Sequence, residues 1–324
     1  MSASAGIAIH SGGTGNTDEL LRNAELAMYA AKDRGRGHIE VFDYDMSREF
    51  VALLGLEHDL RSALHRGEFS VHYQPEVSLE NGAIVGVEAL ARWESAARGM
   101  VPPDQFIPVA EATDLIFELG EFVLQEACAQ TALWRQRGEL PEHFVTWVNV
   151  SAKQLSAGGV IDLVQRTLNA TGLPPASLGL EVTETAMVEG AGGERAKIEL
   201  EQLHALGVGI AIDDFGTGFS SLGQLRQLPI DMLKVDRSFV QGIEHDSKDA
   251  AITASVVNLA HALGVPALAE GIESSGQLQA VRTVGCELAQ GYLFARPAPA
   301  DQVTGLLAVS RNGPAAREPA ATPR

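Results

Sequence analysis

The sequence predicts an α/β protein whose main part is a (β/α)8 barrel. Eight short apolar runs alternate with stretches of helical periodicity, a pattern typical of parallel strands in βα units. The runs are Phe69–Tyr73, Ile84–Leu90, Val145–Val150, Leu178–Val182, Val208–Ile212, Ile230–Val235, Pro266–Ala269 and Glu287–Tyr292. Polar or charged residues lie at or near the ends of these runs: Gln74, Glu88, Asn149, Glu181, Asp213, Asp214, Lys234, Glu270 and Gln290. Because barrel enzymes place their chemistry at the C-terminal ends of the strands, the pattern predicts an acidic pocket at the barrel mouth.

Residues 1–45 lie outside the barrel pattern and predict a small α/β fragment. They read as a strand, a helix and a second strand: Ala5–His10, Thr17–Arg34 and Ile39–Phe42. A piece of this size buries too little apolar surface to fold alone, so we expect it to be the closing part of a larger domain.

The remaining boundaries follow from periodicity and composition. A helical pattern over Met46–Leu64 predicts a helical linker at 46–56 that leads into the barrel at 57–310. The predicted barrel helices are Leu119–Arg137, Gly159–Thr171, Arg195–Leu206, Lys248–Leu263 and Gln277–Val284. Residues 311–324 are rich in Pro, Ala and Arg without periodicity, which predicts a disordered tail.

Composition narrows the functional classes. The chain has 324 residues and a formal net charge of −18, which disfavours binding to nucleic acid or to anionic membranes. An anionic substrate would enter an acidic pocket together with bound divalent cations. Cys128 and Cys286 have no metal-ligand spacing and imply no disulfide framework. The sequence shows neither a signal peptide nor an apolar run of membrane-spanning length, so we expect a cytoplasmic protein.

Asp213 and Asp214 are adjacent acids between the run Val208–Ile212 and the glycine-rich loop Phe215–Ser221. Two neighbouring carboxylates in a pocket raise a pKa unless cations neutralise them. Two hard cations bridged by one carboxylate would remove that repulsion. The alternative is a plain turn in which one Asp caps a helix.

The other strand-end residues are individually ambiguous. Glu88 and Arg92 form a structural ion pair or bind metal and phosphate. Asn149 ties down a loop or ligates Mg²⁺, and Lys234 forms an ion pair or orients or deprotonates a water. Metal- or phosphate-compatible side chains at consecutive strand ends together favour one common site.

These residues belong to motifs with a fixed order along the chain. The motifs are Glu88-Ala89-Leu90 followed by Arg92, Asn149, Glu181-x-x-Glu184, Asp213-Asp214-Phe215-Gly216-Thr217-Gly218, Lys234-Val235-Asp236, Glu270-Gly271-Ile272-Glu273 and Gln290-Gly291-Tyr292. The series, over roughly Leu56–Leu307, resembles the EAL-domain cyclic di-GMP phosphodiesterases. The resemblance implies a modified TIM-like barrel with one antiparallel strand, two Mg²⁺ or Mn²⁺ ions, cyclic di-GMP as substrate, and a homodimer.

The same resemblance implies a role for each matched residue. The implied metal ligands are Glu88, Asn149, Glu181, Asp213 and Asp214, with Asp213 bridging the two ions. The implied catalytic residues are Glu270, Lys234 and Asp214, with Lys234 positioning the attacking water. The implied substrate contacts are Gln74, Arg92 and Gln290, the last on the side of the second metal. Glu184 and Glu273 are implied to anchor loops.

The first 45 residues also match a family pattern. Gly6-Ile7-Ala8 and Ala24-Glu25-Leu26-Ala27-Met28-Tyr29-x-Ala31-Lys32-x-x-Gly35-Arg36 resemble the closing third of a GGDEF diguanylate cyclase domain. The Gly-Gly-acid-acid-Phe signature of that domain is absent from the sequence. We therefore expect a truncated cyclase remnant without cyclase activity.

The implied function is metal-dependent hydrolysis of cyclic di-GMP to linear pGpG. The alternative is a cyclic di-GMP receptor that no longer turns over, against which the intact acids argue. A third hypothesis, an interaction protein that uses the barrel surface, leaves the acids of the predicted pocket unexplained.

Overall fold

The computed structural model describes residues 4–9, 17–33, 38–187, 191–216 and 222–311. Its strands are β1 (Ala5–Ile7), β2 (Ile39–Val41), β3 (Phe69–Ser78), β4 (Ile84–Ser95), β5 (Gly99–Val101), β6 (Val145–Asn149), β7 (Leu178–Thr183), β8 (Gly209–Phe215), β9 (Met232–Val235), β10 (Ala267–Ala269) and β11 (Leu288–Gln290). Its helices are α1 (Thr17–Asp33), α2 (Tyr44–Arg66), α3 (Pro103–Ala112), α4 (Leu115–Gln136), α5 (Ala152–Ala157), α6 (Val160–Thr171), α7 (Ala191–Ala205), α8 (Leu222–Leu225), α9 (Arg237–Gly242), α10 (Ser247–Leu263), α11 (Ser275–Thr283) and α12 (Ala300–Arg311).

Eight of these strands close into a barrel. The order is β3-β11-β10-β9-β8-β7-β6-β4, and pairing between β3 and β4 completes the circle. Strand β3 is antiparallel to both of its neighbours, whereas the other barrel pairs are parallel. The predicted barrel with one antiparallel strand is therefore confirmed. The short strand β5 pairs with the end of β4 outside the barrel.

The observed elements differ from the predicted ones where polar residues lie inside a strand. β3 and β4 continue to Ser78 and Ser95, beyond the predicted ends at Tyr73 and Leu90. Both extensions carry polar side chains that interrupt the apolar runs. The helices α3, α5, α8, α9 and α12 and the strand β5 were not among the predicted elements. Four of these, α5, α8, α9 and β5, have at most six residues and give little periodic signal.

The interior of the barrel holds its own apolar layer. Trp147, Ala211, Met232 and Leu268 form a cluster separate from the larger core between strands and helices. The indole ring of Trp147 packs directly on Gly179, where a Cβ atom would lie only 2.1 Å from Cε3 of the ring. A larger residue at position 179 would therefore clash with Trp147. The polar site lies one layer above this cluster, toward the carboxyl ends of the parallel strands.

The N-terminal segment has the predicted strand–helix–strand order. β1 pairs in parallel with β2, and α1 buries Leu26, Ala27 and Ala31. Large apolar side chains remain exposed on this segment: Ile7, Ile9, Leu20, Leu21, Ile39 and Val41. The continuous helix α2 then spans the predicted linker and enters the barrel.

Two predicted features fall outside the described residues. Positions 217–221 of the glycine-rich loop and positions 312–324 of the predicted tail are among them. Within the described part of the chain, no helix combines the length and the apolar character needed to cross a bilayer.

Candidate active site at the barrel mouth

Strand register brings the predicted site residues into one layer. Gln74 lies opposite Glu88 across β3 and β4, and Asn149 lies opposite Glu181 across β6 and β7. Side chains on one face of a sheet repeat every two residues, so these positions point into the barrel together. The layer lies at the carboxyl ends of the parallel strands, where barrel active sites are found.

Lys234 is the centre of this layer, and its side chain is 0% exposed. Its Nζ lies 2.7 Å from Oε1 of Glu270 and 2.9 Å from Oε1 of Glu181. It also lies 3.7 Å from both Oε2 of Glu88 and Oδ1 of Asp213. A buried ammonium needs such partners, because an unpaired buried charge is strongly destabilising. Four strands therefore present carboxylates to one cation.

Glu88 is held by two amide side chains. Its Oε1 accepts a hydrogen bond from Nδ2 of Asn149 at 2.7 Å, and its Oε2 accepts one from Nε2 of Gln290 at 2.7 Å. The same Gln290 nitrogen also donates to Oε1 of Gln74 at 3.1 Å. Because both carboxylate oxygens are fixed, the Glu88 group has a defined orientation.

The environment separates the pKa values of the buried acids. Burial raises the pKa of Glu88, but the Lys234 charge and the amide hydrogen bonds outweigh it, so the net shift is downward. Burial, with repulsion from neighbouring carboxylates, raises the pKa values of Glu181 and Glu270 well above their usual range. Burial opposes the charge of Lys234, yet Asp213, Glu181 and Glu270 raise its pKa well above the usual value.

Asp213, Asp214 and Glu270 form a second acidic group at the outer edge of the layer. Each offers an oxygen that lies within 4.8 Å of the others. Asp214 has a left-handed backbone with φ of 53°, and its N–H donates to Oδ1 of Asp213 at 2.9 Å. Burial and the charge of Asp213 raise the pKa of Asp214 to about 7. A cation at this position would remove the repulsion behind that shift.

The donor set fits divalent cations. Four carboxylates, those of Glu88, Glu181, Asp213 and Glu270, lie around the ammonium of Lys234, and Asp214 adds a fifth beside Asp213 and Glu270. Oε1 of Glu181 lies against the Lys234 ammonium, whereas its Oε2 is buried and has no hydrogen-bond partner among the described residues. Proteins bind Mg²⁺ mainly through oxygen atoms, and Oε2 of Glu181 has lone pairs available for such an ion.

Comparison with known sequences agrees with this geometry. Residues 57–297 match the EAL domain family. This chain is an EAL domain protein. It is 44% identical over 308 residues to the bifunctional diguanylate cyclase/cyclic di-GMP phosphodiesterase MucR of Pseudomonas aeruginosa, covering 95% of this chain and 44% of MucR. It is 38% identical over 299 residues to the cyclic di-GMP phosphodiesterase NbdA of the same organism, covering 92% of this chain and 38% of NbdA. The chain thus spans less than half the length of these curated relatives.

Solved structures share the fold. A structure of the PaMucR phosphodiesterase in a c-di-GMP complex is 46% identical, with a TM-score of 0.73 over 77% of this chain and 99% of that chain. The EAL enzyme Bd1971, bound to cAMP and cyclic di-GMP, is 30% identical, with a TM-score of 0.77 over 91% of this chain and 77% of that chain.

The pocket of this EAL domain encloses about 230 Å³ and is lined in part by residues that the sequence analysis missed. Arg237 and Gln241 belong to α9, which was not predicted, and Tyr292 had been noted only as part of a motif. The guanidinium of Arg296 lies 4.2 Å from the ring centre of Tyr292. Arg92 is half-buried on β4, where its Nη1 donates to the carbonyl of Ala91 at 2.8 Å.

The predicted loop anchors have different partners. Oε2 of Glu184 accepts a hydrogen bond from the N–H of Gly216 at 3.1 Å, which ties the start of the glycine-rich loop to the turn after β7. The backbone N–H of Glu273 donates to Oε1 of Gln277 at 2.7 Å, and Glu273 lines the pocket. Positions 217–221, which Glu184 was predicted to anchor, lie outside the described residues.

Glu76 is a buried acid that the sequence analysis did not identify. It lies in β3, two residues beyond Gln74, and is 1% exposed. Because the predicted strand ends before it, at Tyr73, strand alternation assigns no direction to the Glu76 side chain. The charged side chain inside a strand was the available signal, because an acid there is costly unless it is partnered.

Proposed function

We propose that this EAL domain hydrolyses cyclic di-GMP to linear pGpG with two Mg²⁺ or Mn²⁺ ions. The observation that carries the proposal is the burial of Lys234 among Glu88, Glu181, Asp213 and Glu270 at the barrel mouth. An interaction module has no need for such a costly arrangement of charge. The activities named for MucR and NbdA, and the c-di-GMP complex of PaMucR, support the choice of substrate.

The metal ions would be held by Glu88, Asn149, Glu181, Asp213 and Asp214. Bound divalent cations neutralise phosphate charge, lower the pKa of water and stabilise a leaving oxygen. Asn149 already directs Nδ2 at Glu88, which leaves its Oδ1 for a cation. The hydrogen bond from Gln290 fixes the other oxygen of Glu88 and so holds this ligand in place.

Lys234 and Glu270 would handle the attacking water. The ammonium of Lys234 donates hydrogen bonds and keeps its protons, so it orients the water without deprotonating it. The carboxylate of Glu270 lies 2.7 Å from that ammonium and can take the proton that the water loses. Burial and repulsion from Asp213 and Glu88 raise the pKa of Glu270, and bound cations would offset that repulsion and keep the carboxylate ionised as an acceptor.

Gln74, Arg92 and Gln290 would contact the substrate. The guanidinium of Arg92 suits a phosphate oxygen because it offers several donors in one plane. Burial lowers the pKa of Arg92, while Glu88 acts in the opposite direction, and the group stays charged. Gln74 donates to the carbonyl of Ala295 at 3.1 Å, which sets its side chain against the pocket wall.

The competing function is a cyclic di-GMP receptor without turnover, and one assay separates the two. Purified protein is incubated with cyclic di-GMP in Mg²⁺, in Mn²⁺, and in excess chelator, and products are resolved by chromatography. We expect linear pGpG with either metal and none with chelator. Tight binding without any pGpG in either metal would establish the receptor function and refute hydrolysis.

We further propose that residues 1–45 are the end of a cyclase-type domain and that the chain forms a homodimer. The matched region of MucR, which is named as bifunctional, extends over 95% of this chain and thus beyond 57–297. The exposed Ile7, Ile39 and Val41 on β1 and β2 fit a segment that packs against further structure. Incubation of the protein with GTP should yield no cyclic di-GMP. Formation of cyclic di-GMP would refute the proposal that residues 1–45 are an inactive part of a cyclase-type domain.

A further inference from the structure

Two buried oxygens on the adjacent strands β3 and β11 receive no hydrogen bond from any described residue. Oε1 of Glu76 and Oε1 of Gln290 are both inaccessible to solvent and lack a hydrogen-bond partner among the described residues. The two residues are direct cross-strand partners in the antiparallel pairing of β3 with β11. Side chains at such positions have Cβ atoms about 4.5–5.5 Å apart on the same face. Two acceptors on facing positions repel each other unless one of them carries a proton.

The Gln290 amide cannot supply that proton. Its Nε2 already donates to Oε2 of Glu88 at 2.7 Å and to Oε1 of Gln74 at 3.1 Å. Rotating the amide by half a turn would place its oxygen against the carboxylate of Glu88, an unfavourable contact. A protonated carboxyl on Glu76 can supply the missing donor.

The Glu76 carboxyl is itself held in a shaped space. The Trp147 indole N–H forms a side-chain hydrogen bond with it, and because Oε1 is unpartnered, this bond reaches Oε2. A Cβ atom at Gly86 would lie 2.7 Å from that Oε2. At Gly179 it would lie 2.1 Å from the Trp147 ring. Glycine at both positions admits the carboxyl–indole pair beneath the site.

We propose that Glu76 is a positioning residue whose carboxyl O–H donates to Oε1 of Gln290 and holds the amide that orients Glu88. The indole of Trp147 keeps the second carboxyl oxygen occupied, so the O–H is directed at Gln290. The arrangement supports Glu88 from below without Glu76 touching substrate or metal. Its kinetic consequence rests on the proposed phosphodiesterase function.

The charges around Glu76 agree with a protonated carboxyl. The pKa of Glu76 is raised to about 8, and burial is the largest cause. Glu88 and Asp213 also raise this pKa, while Lys234 and the Trp147 hydrogen bond lower it. Glu181 also interacts with it, from β7. These groups face Glu76 from β4, β6, β7, β8 and β9.

Two substitutions and a matched control test the role. In Glu76→Gln the amide still donates to Gln290 and accepts from Trp147 at every pH, whereas Glu76→Met keeps the length and removes both bonds. Glu199→Gln is the control, since Glu199 is also buried but accepts from the N–H groups of Gly159 and Ile161 at 3.0 and 2.9 Å, far from the site.

We expect Glu76→Met to lower kcat by roughly tenfold or more, the range for groups that support a metal ligand, with a smaller change in KM. Glu76→Gln should keep the wild-type rate at pH 7, because its amide preserves both hydrogen bonds. Wild-type rates in Glu76→Met, or equal loss in Glu76→Gln and Glu76→Met, would refute the positioning role.

An infrared measurement tests the hydrogen bond without turnover. The difference spectrum of wild type and Glu76→Gln at pH 7 should contain the carbonyl stretch of a protonated carboxyl, and that of wild type and Glu199→Gln should not. Absence of the band for Glu76 would overturn the inference. A protein that shows the band but hydrolyses no cyclic di-GMP would refute the proposed function and leave the Glu76–Gln290 bond established.

Discussion

Nζ of Lys234 lies 2.7 Å from Oε1 of Glu270, across the neighbouring strands β9 and β10. Because Asp213, Glu181 and Glu270 raise the pKa of Lys234 well above its usual value, the amine holds its proton throughout the physiological range. Lys234 is therefore unsuited to act as a general base. In the proposed mechanism Glu270 accepts the proton and Lys234 orients the water.

Glu88→Gln should abolish hydrolysis while the fold remains intact. The change keeps the volume of Glu88 but removes the negative charge of the ligand, and the new amide nitrogen would face one of the two donors, Nδ2 of Asn149 or Nε2 of Gln290. We expect a loss of at least ~100-fold in kcat, as for groups that hold a catalytic metal. The measurement is pGpG formation in Mn²⁺, with circular dichroism to check folding.

The control for this variant is Glu199→Gln, which also replaces a buried carboxylate by an amide. It weakens the acceptor for the first turn of α6 and should lower stability without lowering kcat. Near-normal turnover in Glu88→Gln would contradict the assignment of Glu88 as a metal ligand.

Ca²⁺ should inhibit the enzyme and trap the substrate complex. It binds carboxylates well, but it is larger than Mg²⁺, takes six to eight ligands and holds them less rigidly. Calorimetry should show cyclic di-GMP binding in Ca²⁺, while chromatography shows no product over the same time. Equal turnover in Ca²⁺ and Mg²⁺ would count against the mechanism.

The fold was predictable because its signal is repeated. Each of the eight barrel strands contains an apolar run, and the right-handed βα pattern leaves few alternatives. The strand ends were less predictable. β3 continues past Tyr73 through Gln74 and Glu76, and nothing in local hydropathy distinguishes an inward-facing acid from one that ends the strand. Only the closed barrel shows that both side chains face the interior.

The candidate site was predictable as a set of strand-end residues, but not as a network. Periodicity indicated that Glu88, Asn149 and Glu181 lie at neighbouring strand ends. It could not show that Asn149 and Gln290 grip opposite oxygens of Glu88, because those contacts join residues 61 and 202 positions apart in sequence. Arg237 was missed for a similar reason, since its short helix gives no periodic signal.

Metal binding should become tighter as pH rises from 6 to 8, and a fixed concentration of metal should then raise the free energy of unfolding by a larger amount. The pKa of Asp214 is raised from 3.8 to about 7 in the folded state. At pH values between these two pKa values, and until Asp214 is fully ionised in the folded state, the folded protein binds more protons than the unfolded chain. Stability of the metal-free protein should fall as pH rises through that window. Below it, protons compete with the cation for Asp214.

Thermal unfolding with and without Mn²⁺ at pH 6 and pH 8 measures this effect. At one hundred times Kd, Mn²⁺ should add about 2.7 kcal/mol to the free energy of unfolding. Asp214→Asn should flatten the pH dependence in metal-free protein. A metal-free protein that becomes more stable between pH 6 and pH 8 would contradict the prediction.

Glu184→Ala should lower activity without removing a metal ligand. Glu184 is buried, and its Oε2 accepts from the N–H of Gly216, which starts the loop after Asp213 and Asp214. Without this acceptor, the Asp213–Asp214 pair loses a fixed neighbour, and we expect roughly a tenfold fall in kcat, the scale of coupling through a positioning network. Mn²⁺ affinity, measured by calorimetry, should stay near the wild-type value. Glu184→Gln, which keeps an acceptor oxygen, should retain most of the activity.

If the loop lies at the proposed dimer contact, light scattering should show less dimer in Glu184→Ala than in Glu184→Gln. A fully active, strictly monomeric wild-type protein would refute the link between this loop and self-association.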